Sequence, residues 1–315
     1  MVTARRRVPL WPIAQWTLLT CGSILTLVPI VVAFVSSFKS VEDFFNNMFW
    51  AETCCTVNGP DLLREMALSL VQGVVAHYNF FNNTFGLPTT WLFSNYVSAW
   101  NDASMGRFFV NSIVVTGGGV LLNVVACTPL AYALARYRFR FNGLLYVLLV
   151  GGLIAPIQLI GIQLLQWVKA LHIFGTYFSL IFPYAAFGVP LAVLVLTGFF
   201  GQVPRELDDA GRMDGANEFQ VFWLIVLPLI RPALATVVIF NGIGIWNDLF
   251  LPLVLAYSAN IQTLPLGIIL LFGAYSTEWG VVFAAVIIAS LPVIVAYFFL
   301  TRQFISGLSA GAVKG

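Results

Sequence analysis

Pro204-Arg-Glu-Leu-Asp-Asp-Ala-Gly-Arg-Met-Asp-Gly-Ala-Asn-Glu-Phe219, running on to Leu227-Pro228, decides how the rest of this chain is read. Between Arg205 and Glu218 stand five acids and two arginines, with long apolar segments on both sides. Pro204 suits the first turn of a helix, where its missing N–H is not needed. Glu206, Asp208 and Asp209 follow in that turn, where acids favour the positive end of the helix dipole. Gly215 ends or bends the helix, and a second segment begins at Ala216. There Phe219, Phe222, Trp223 and Val226 recur at i, i+3, i+4 and i+7 as an amphipathic stripe. Leu227-Pro228 breaks it, and Arg231-Pro232 opens the next apolar run. The expectation over residues 204–231 is two short helices joined at a glycine and lying along a membrane surface. A plain connector would be polar because it touches water; a rigid, bent, charged element also suits contact with a soluble partner.

The rest of the chain makes the membrane unavoidable. Of 315 residues, 60% are hydrophobic and only 9% charged, with a mean hydropathy of +0.92. Soluble domains carry about 25% charged residues, so this chain cannot coat a water-facing surface. A net charge of +2 with no basic stripe gives no nucleic-acid reading. Cys21 and Cys127 lie in apolar segments as small hydrophobes. Cys54 and Cys55 are adjacent in a polar loop, and no Cys/His spacing suggests zinc.

Six runs are long and apolar enough for the ~20 residues a spanning helix needs. They lie within Trp11–Phe38, Phe108–Ala135, Phe141–Val168 and Ser179–Phe200, and from about Pro232 to Leu251 and Trp279 to Thr301. Backbone groups in lipid must bond within their own segment, so helices are the expected structure. The fold class expected is all-α: a polytopic membrane protein with six transmembrane helices over residues 1–315. With the N-terminus inside, eleven of the fifteen Lys and Arg fall on inner segments. This positive-inside bias puts both termini and the loop at 204–231 of a multi-pass protein in the cytoplasm. A cleaved signal peptide is disfavoured, because the apolar run after Arg7 is too long.

Two outer segments stand apart. Residues 39–107 are long for a connection and carry Leu62, Leu63, Met66, Leu70 and Val74 at helical spacing, as a surface helix would. The tetrad Phe-Phe-Asn-Asn occurs at Phe44–Asn47 and again at Phe80–Asn83 without pointing to a ligand. The second segment, 256–278, holds Thr263-Leu-Pro-Leu-Gly and an apolar run too short to span, as a re-entrant or interfacial element would.

The charged loop resembles the "EAA" loop of permease subunits in binding-protein-dependent ABC importers. That family's pattern runs Glu-Ala-Ala, then a glycine, then a closing Ile-x-Leu-Pro. Here Asp209, Ala210 and Gly211 stand at Glu-Ala-Ala, Gly215 at the glycine, and Ile225, Leu227 and Pro228 at the close. Asp214-Gly215-Ala216 is similar to the form in carbohydrate permeases. Asp209 is one methylene shorter than Glu, and Gly211 in place of alanine should loosen the helix by up to about 1 kcal/mol. Asn111-Ser112, Trp246-Asn247-Asp248, Thr263–Gly267 and the tail Phe304–Gly315 also resemble maltose-transporter-type subunits, so the resemblance runs from about residue 106 to the end.

The resemblance implies a carbohydrate importer with a second permease subunit as a heterodimer, two ATPase subunits and an external solute-binding protein. The chain itself would be no enzyme and bind no cofactor; ATP and magnesium would sit on the ATPase. The residues implied in ATPase coupling are Glu206, Asp209, Ala210, Gly211, Asp214, Gly215, Leu227, Pro228 and the tail's Lys314. The tail, Ser306–Gly315, is rich in glycine and alanine and is expected to be flexible until it meets the ATPase.

No G-x-x-x-x-G-K-[ST] occurs, so the chain has no P-loop of its own. Gly117-Gly118-Gly119 suits close helix contact in a membrane. His77 and His172 read as structural. Polar groups within or beside the spans are substrate-pathway candidates: Asn123, Gln158, Asn241, Trp246, Asn247 and Asp248. Amides and ring faces suit sugar hydroxyls and pyranose faces; the competing role is hydrogen bonding between helices. A self-contained secondary transporter or channel is the alternative, and it would show internal repeats and buried coupling charges. Neither is found.

Overall fold

The computed structural model describes residues 10–40, 43, 87–88, 90–257, 260–274 and 278–312. The surface helix expected around Met66, both Phe-Phe-Asn-Asn tetrads, Cys54, Cys55, His77 and Lys314 lie outside them. Every regular element among the described residues is helical, as expected. In chain order they are α1 (Leu10–Ser36), α2 (Ser94–Asn101), α3 (Met105–Arg136), α4 (Asn142–Ile154), α5 (Ile157–Ala170), α6 (Phe178–Phe187) and α7 (Val189–Gln202). There follow α8 (Glu206–Met213), α9 (Glu218–Leu229), α10 (Arg231–Asn247), α11 (Phe250–Leu255), α12 (Leu264–Ala274) and α13 (Trp279–Ala312).

The expected spans are less regular than hydropathy suggests. Among the described residues, α3 and Trp279–Tyr297 of α13 are single helices long and apolar enough to cross a bilayer. Three further candidates are bent pairs. α4 and α5 meet at 94°, α6 and α7 at 45°, and α9 and α10 at 75°. The run Phe141–Val168 is therefore not one continuous helix. Pro156 forces Ala155 out of the helical region, to ψ 115°, because its ring clashes with a helical predecessor. The α6–α7 bend falls at Gly188, followed by Pro190, which has no N–H for the helix ladder. The fifth run also stops short of Leu251: Asp248 is extended, and α11 starts afresh at Phe250. The C-terminal segment is a continuation of α13 to Ala312, not the flexible tail expected. Its alanines favour helix and the helix before it is already nucleated, which outweighs two interior glycines.

The chain forms two compact units, residues 1–103 with 271–288 and residues 104–270 with 289–315. In the first, the end of α1 is tied down by side chains of the α2 region. Asn95 Nδ2 donates to the Ser37 and Lys39 carbonyls at 2.9 and 3.0 Å. Phe38 is buried against Trp91, Phe93 and Tyr96. Gly280 belongs to the same cluster, since a Cβ there would strike Asn95 and the Lys39 carbonyl.

In the second unit α3 is the central element, packing on α6, α7 and α10. Close approach is permitted by Gly118 and Gly119, whose added Cβ atoms would lie 2.7 Å from Ile181 and 3.1 Å from Ile245. Gly117 faces open space. One apolar cluster, with Val115, Leu180, Tyr184, Ile245 and Leu251, fills one end of this unit. A second, with Cys127, Leu196, Phe200, Phe222, Val226 and Ile230, fills the other and supports α9.

Asn111, buried on α3, anchors the segment leading into α12. Its Nδ2 donates to the carbonyls of Asn260 and Gln262, both at 2.9 Å, and its Oδ1 accepts from the Tyr177 hydroxyl at 2.7 Å. Beside it Ser112 Oγ accepts from the Leu264 N–H at 2.8 Å, capping α12. Asn111→Ala should lower stability by about 1–2 kcal/mol, the scale of hydrogen bonds inside membrane bundles. Denaturant unfolding of the purified protein in detergent, compared with wild type, measures it.

Candidate functional site

The loop at 204–231 folds as two helices about a glycine. α8 ends at Met213, Asp214 closes it, and Gly215 takes φ +86°, a left-handed conformation in which a Cβ is strained. α9 then starts two residues later than the sequence suggests, because Asn217 and Gln220 form a capping box. Asn217 Oδ1 accepts from the Gln220 N–H at 2.9 Å, and Gln220 Oε1 accepts from the Asn217 N–H at 2.8 Å. Within α9, Val221–Val226 form a π-helical turn. Its wider repeat changes which residues face inward. Val221, Phe222 and Val226 are buried, while Phe219 and Trp223, expected on the same stripe, are exposed.

Two sets of charges organise this loop. The outer set centres on Arg212. Its Nη1 reaches Asp209 Oδ1 at 2.9 Å, and its Nε and Nη2 reach the two Glu218 oxygens at 2.8 and 3.2 Å. The Tyr137 hydroxyl donates to Glu218 Oε2 at 2.8 Å. Arg212 thus ties the end of α8 to the start of α9 across Gly215. Hydrogen bonds from Arg212 and Tyr137 hold the Glu218 carboxyl below its ordinary range. The same bond to Glu218, aided by burial, pushes the Tyr137 phenol up to about 12. Arg212 is raised, first by its bond to Glu218.

The inner set is a buried ion pair. Arg136, the last residue of α3, places Nε 3.1 Å from Asp208 Oδ2, and both side chains are about 5% exposed, at 6% and 5%. Its Nη1 donates to the Val203 carbonyl at 2.9 Å. Burial pushes the Asp208 carboxyl up, while Arg136 and Arg212 pull it down. Tyr132, Phe200 and Phe222 pack as an aromatic layer, with ring centroids 5.0–5.3 Å from Tyr132 to the other two. Removing one partner of such a pair typically costs about 3–5 kcal/mol, because the other charge is left buried.

The residues singled out from the sequence divide by exposure. Glu206, Asp209, Ala210, Asp214 and Gly215 are exposed. Gly211 is buried, and Leu227 and Pro228 are half-buried. The glycine at 211 has a packing reason: a Cβ there would lie 2.5 Å from Ile225 Cδ1, so α8 crosses α9 closely. Sequence reasoning missed the Arg136–Asp208 pair and the bracing by Arg212, Glu218 and Tyr137. Arg136 reads there as one more inner charge and Asp208 as a dipole-favoured acid; their separation of 72 positions hides the pairing.

The substrate-pathway candidates are not gathered into one site. Asn123 and Asn241 do meet: Asn241 Nδ2 donates to Asn123 Oδ1 at 2.9 Å, and Asn123 Nδ2 donates to the Ala185 carbonyl at 2.8 Å. Gly188 packs against both amides, where a Cβ would lie 2.7 and 2.8 Å from their nitrogens. Trp246 Nε1 donates to the Ala289 carbonyl at 3.1 Å. Asp248 Oδ2 accepts from the Tyr184 hydroxyl at 2.8 Å and from the Leu251 N–H at 3.0 Å, capping α11. Gln158 and Asn247 are exposed, and Asn247 Nδ2 donates to Ile243 O at 3.0 Å on its own helix. A cavity of about 290 Å³ opens beside Thr116, Val238, Gly242, Trp246 and Pro292, but its lining is almost wholly apolar.

Residues 127–308 match the family described as binding-protein-dependent transport system inner membrane component. The chain belongs to this family. It is a permease subunit of ABC transporters, without enzymatic activity of its own. Relatives include the probable ABC transporter permease protein YurM of Bacillus subtilis, 32% identical over 235 residues, covering 75% of this chain and 78% of that protein. The diacetylchitobiose uptake system permease protein NgcG of Streptomyces coelicolor is 32% identical over 74% of this chain and 78% of its own length. The melibiose/raffinose/stachyose import permease protein MelC of Bacillus subtilis is 34% identical over 72% and 83%. The fold is similar to a chain in the crystal structure of a bacterial ABC transporter involved in the import of the acidic polysaccharide alginate. That match has a TM-score of 0.70 and 23% identity, and covers 96% of this permease and 100% of that chain.

Glu218 gives the permease loop a defined pH response. A carboxylate whose folded pKa is depressed stabilises fully above its unfolded value of about 4.3 and loses that stabilisation as pH falls through the folded value. Amide exchange of residues 217–220, corrected for intrinsic rates, should therefore not change between about pH 7 and pH 5. Glu218→Gln should raise that exchange at pH 7, because the charge-assisted bonds to Arg212 are lost.

Proposed function

We propose that this chain is one permease subunit of an ATP-driven importer that carries a carbohydrate, an oligosaccharide or related sugar, across the cytoplasmic membrane. It pairs with a second, different permease subunit. Two ATPase subunits carrying ATP and magnesium contact the loop at 204–231, and an external solute-binding protein delivers the sugar. The chain crosses the membrane six times with both termini in the cytoplasm, through α1, α3, α4–α5, α6–α7, α10–α11 and α13. The distribution of Lys and Arg supports this orientation. Segment 39–107 then faces outward, as a docking surface for the binding protein.

The observation that carries this reading is the braced helix–Gly215–helix loop with its outward face left open. Glu206, Asp209, Ala210 and Asp214 stand exposed on it, and Met213 is 87% exposed among them. Acids with two exposed apolar side chains, Leu207 and Met213, on a short helix held by Arg212, form a compact contact for a soluble partner. Leu227 packs on the apolar cluster beneath α9, and Gly211 sets the closeness of α8 to α9. The printed functions of the relatives support a carbohydrate: diacetylchitobiose for one and melibiose, raffinose and stachyose for another. Family membership leaves a self-contained transporter or channel without support. As for substrate contact, Gln158 and Asn247 are the exposed candidates, whereas Asn123, Asn241, Trp246 and Asp248 are engaged inside the bundle.

The test is Gly215→Arg in the whole complex. No atom lies within 4 Å of a Cβ at this position, so only backbone strain of about 1–2 kcal/mol opposes it. The variant should insert at wild-type levels, yet lose co-purification of active ATPase. Uptake of radiolabelled oligosaccharides should fall at least about tenfold, equivalent to about 1.4 kcal/mol on the limiting barrier. Normal uptake with normal ATPase association would reject the contact. A wild-type preparation that transports without any ATPase would reject the importer reading.

A further inference from the structure

We infer that Arg136 and Asp208 form a strap that carries motion of the charged loop into α3, so that they are positioning residues for coupling. The inference rests on the reading of 204–231 as the ATPase contact. Arg136 holds two points that flank the turn before α8. Its Nη1 binds the Val203 carbonyl at the end of α7, and its Nε faces Asp208 in the first turn of α8. α8 therefore cannot tilt against α7 without pulling on the end of α3. Both side chains are shut off from solvent, so the contact is not weakened by counterions as an exposed pair would be. A buried, charged contact tolerates little displacement, because a lengthened bond leaves its charges uncompensated.

α3 is suited to pass that motion on. It runs unbroken for 32 residues, about 48 Å at 1.5 Å per residue, whereas the neighbouring apolar candidates are bent by 45–94°. Six residues from its start, Asn111 holds the carbonyls of Asn260 and Gln262, and Ser112 caps α12. One unbroken helix is thus pinned to the charged loop at its last residue and to the segment leading into α12 near its first. The alternative ties are weaker. Tyr137–Glu218 and Arg212–Asp209 are exposed, and the second joins residues of one helix. Arg is required rather than Lys, since only a fork-shaped guanidinium reaches a carbonyl and a carboxylate together.

The experiment compares wild type, R136M/D208L and Arg136→Lys in the full complex with its ATPase. Hydrogen–deuterium exchange is followed with and without ATP plus vanadate, which needs no knowledge of the sugar. R136M/D208L removes both charges together, so neither is left buried and unpaired. In wild type, trapping should alter exchange at 204–215 and at 105–112. In both variants the ATPase should stay bound and 204–215 should still respond, while the response at 105–112 falls by roughly fivefold. A wild-type response at 105–112 in the variants overturns the strap, as does a wild type with no response there. If R136M/D208L does not assemble, Arg136→Lys decides alone by the same criterion. A wild type that binds no ATPase would instead sink the underlying reading of the loop.

Discussion

Inside a bilayer no water is on hand to satisfy a backbone group, and this constraint organises the polar chemistry of the chain. At several of the places where a helix breaks or carries a proline, a side chain from another element or from the same turn takes up a backbone group. Asn123 binds the Ala185 carbonyl just before the α6–α7 bend. Asp248 caps α11 after the extended break that ends α10. Asn111 and Ser112 serve the segment entering α12. Trp246 binds Ala289 O in the turn before Pro292, and Thr128 binds Val124 O in the turn before Pro129. Arg136 does the same for Val203 O at the end of α7. Asn123, Trp246 and Asp248, which first suggest a sugar path, thus also tie down backbone groups beside breaks and prolines.

That arrangement explains what could be read from the sequence. The charged loop was legible because five acids in fourteen residues cannot sit in hydrocarbon, and Gly215 was legible because helix patterns stop on both sides of it. The all-helical class followed from apolar runs alone. The bends were less legible. Hydropathy averages over a window and passes through Ala155-Pro156 without registering it, although the proline was there to be read. The π-turn of α9 left no mark in composition, and it moved Phe219 and Trp223 off the inward face that a regular helix predicts.

The pairings were the least legible part. Arg136 with Asp208, Asn123 with Asn241 and Tyr184 with Asp248 each join residues more than sixty positions apart. Nothing local distinguishes a buried, paired arginine from one that merely ends a span. Burial in the packed bundle decides it, and burial depends on which helices meet. The tail was misjudged for a related reason: its composition describes an isolated peptide, while in the chain it extends a helix already formed.

The two charge sets of the loop differ in what surrounds them, and so they answer differently to ionic strength. At physiological salt, charges in water are screened over about 8 Å. The Arg212 cluster, exposed on the outside of α8 and α9, lies within reach of that screening. The Arg136–Asp208 pair, beneath it, does not. A rise in the salt concentration around the loop would soften the hinge around Gly215 while leaving α8 fastened to α3. Stiffness at the loop's surface would then follow the ionic composition of the medium that bathes it, and its attachment to the bundle would not.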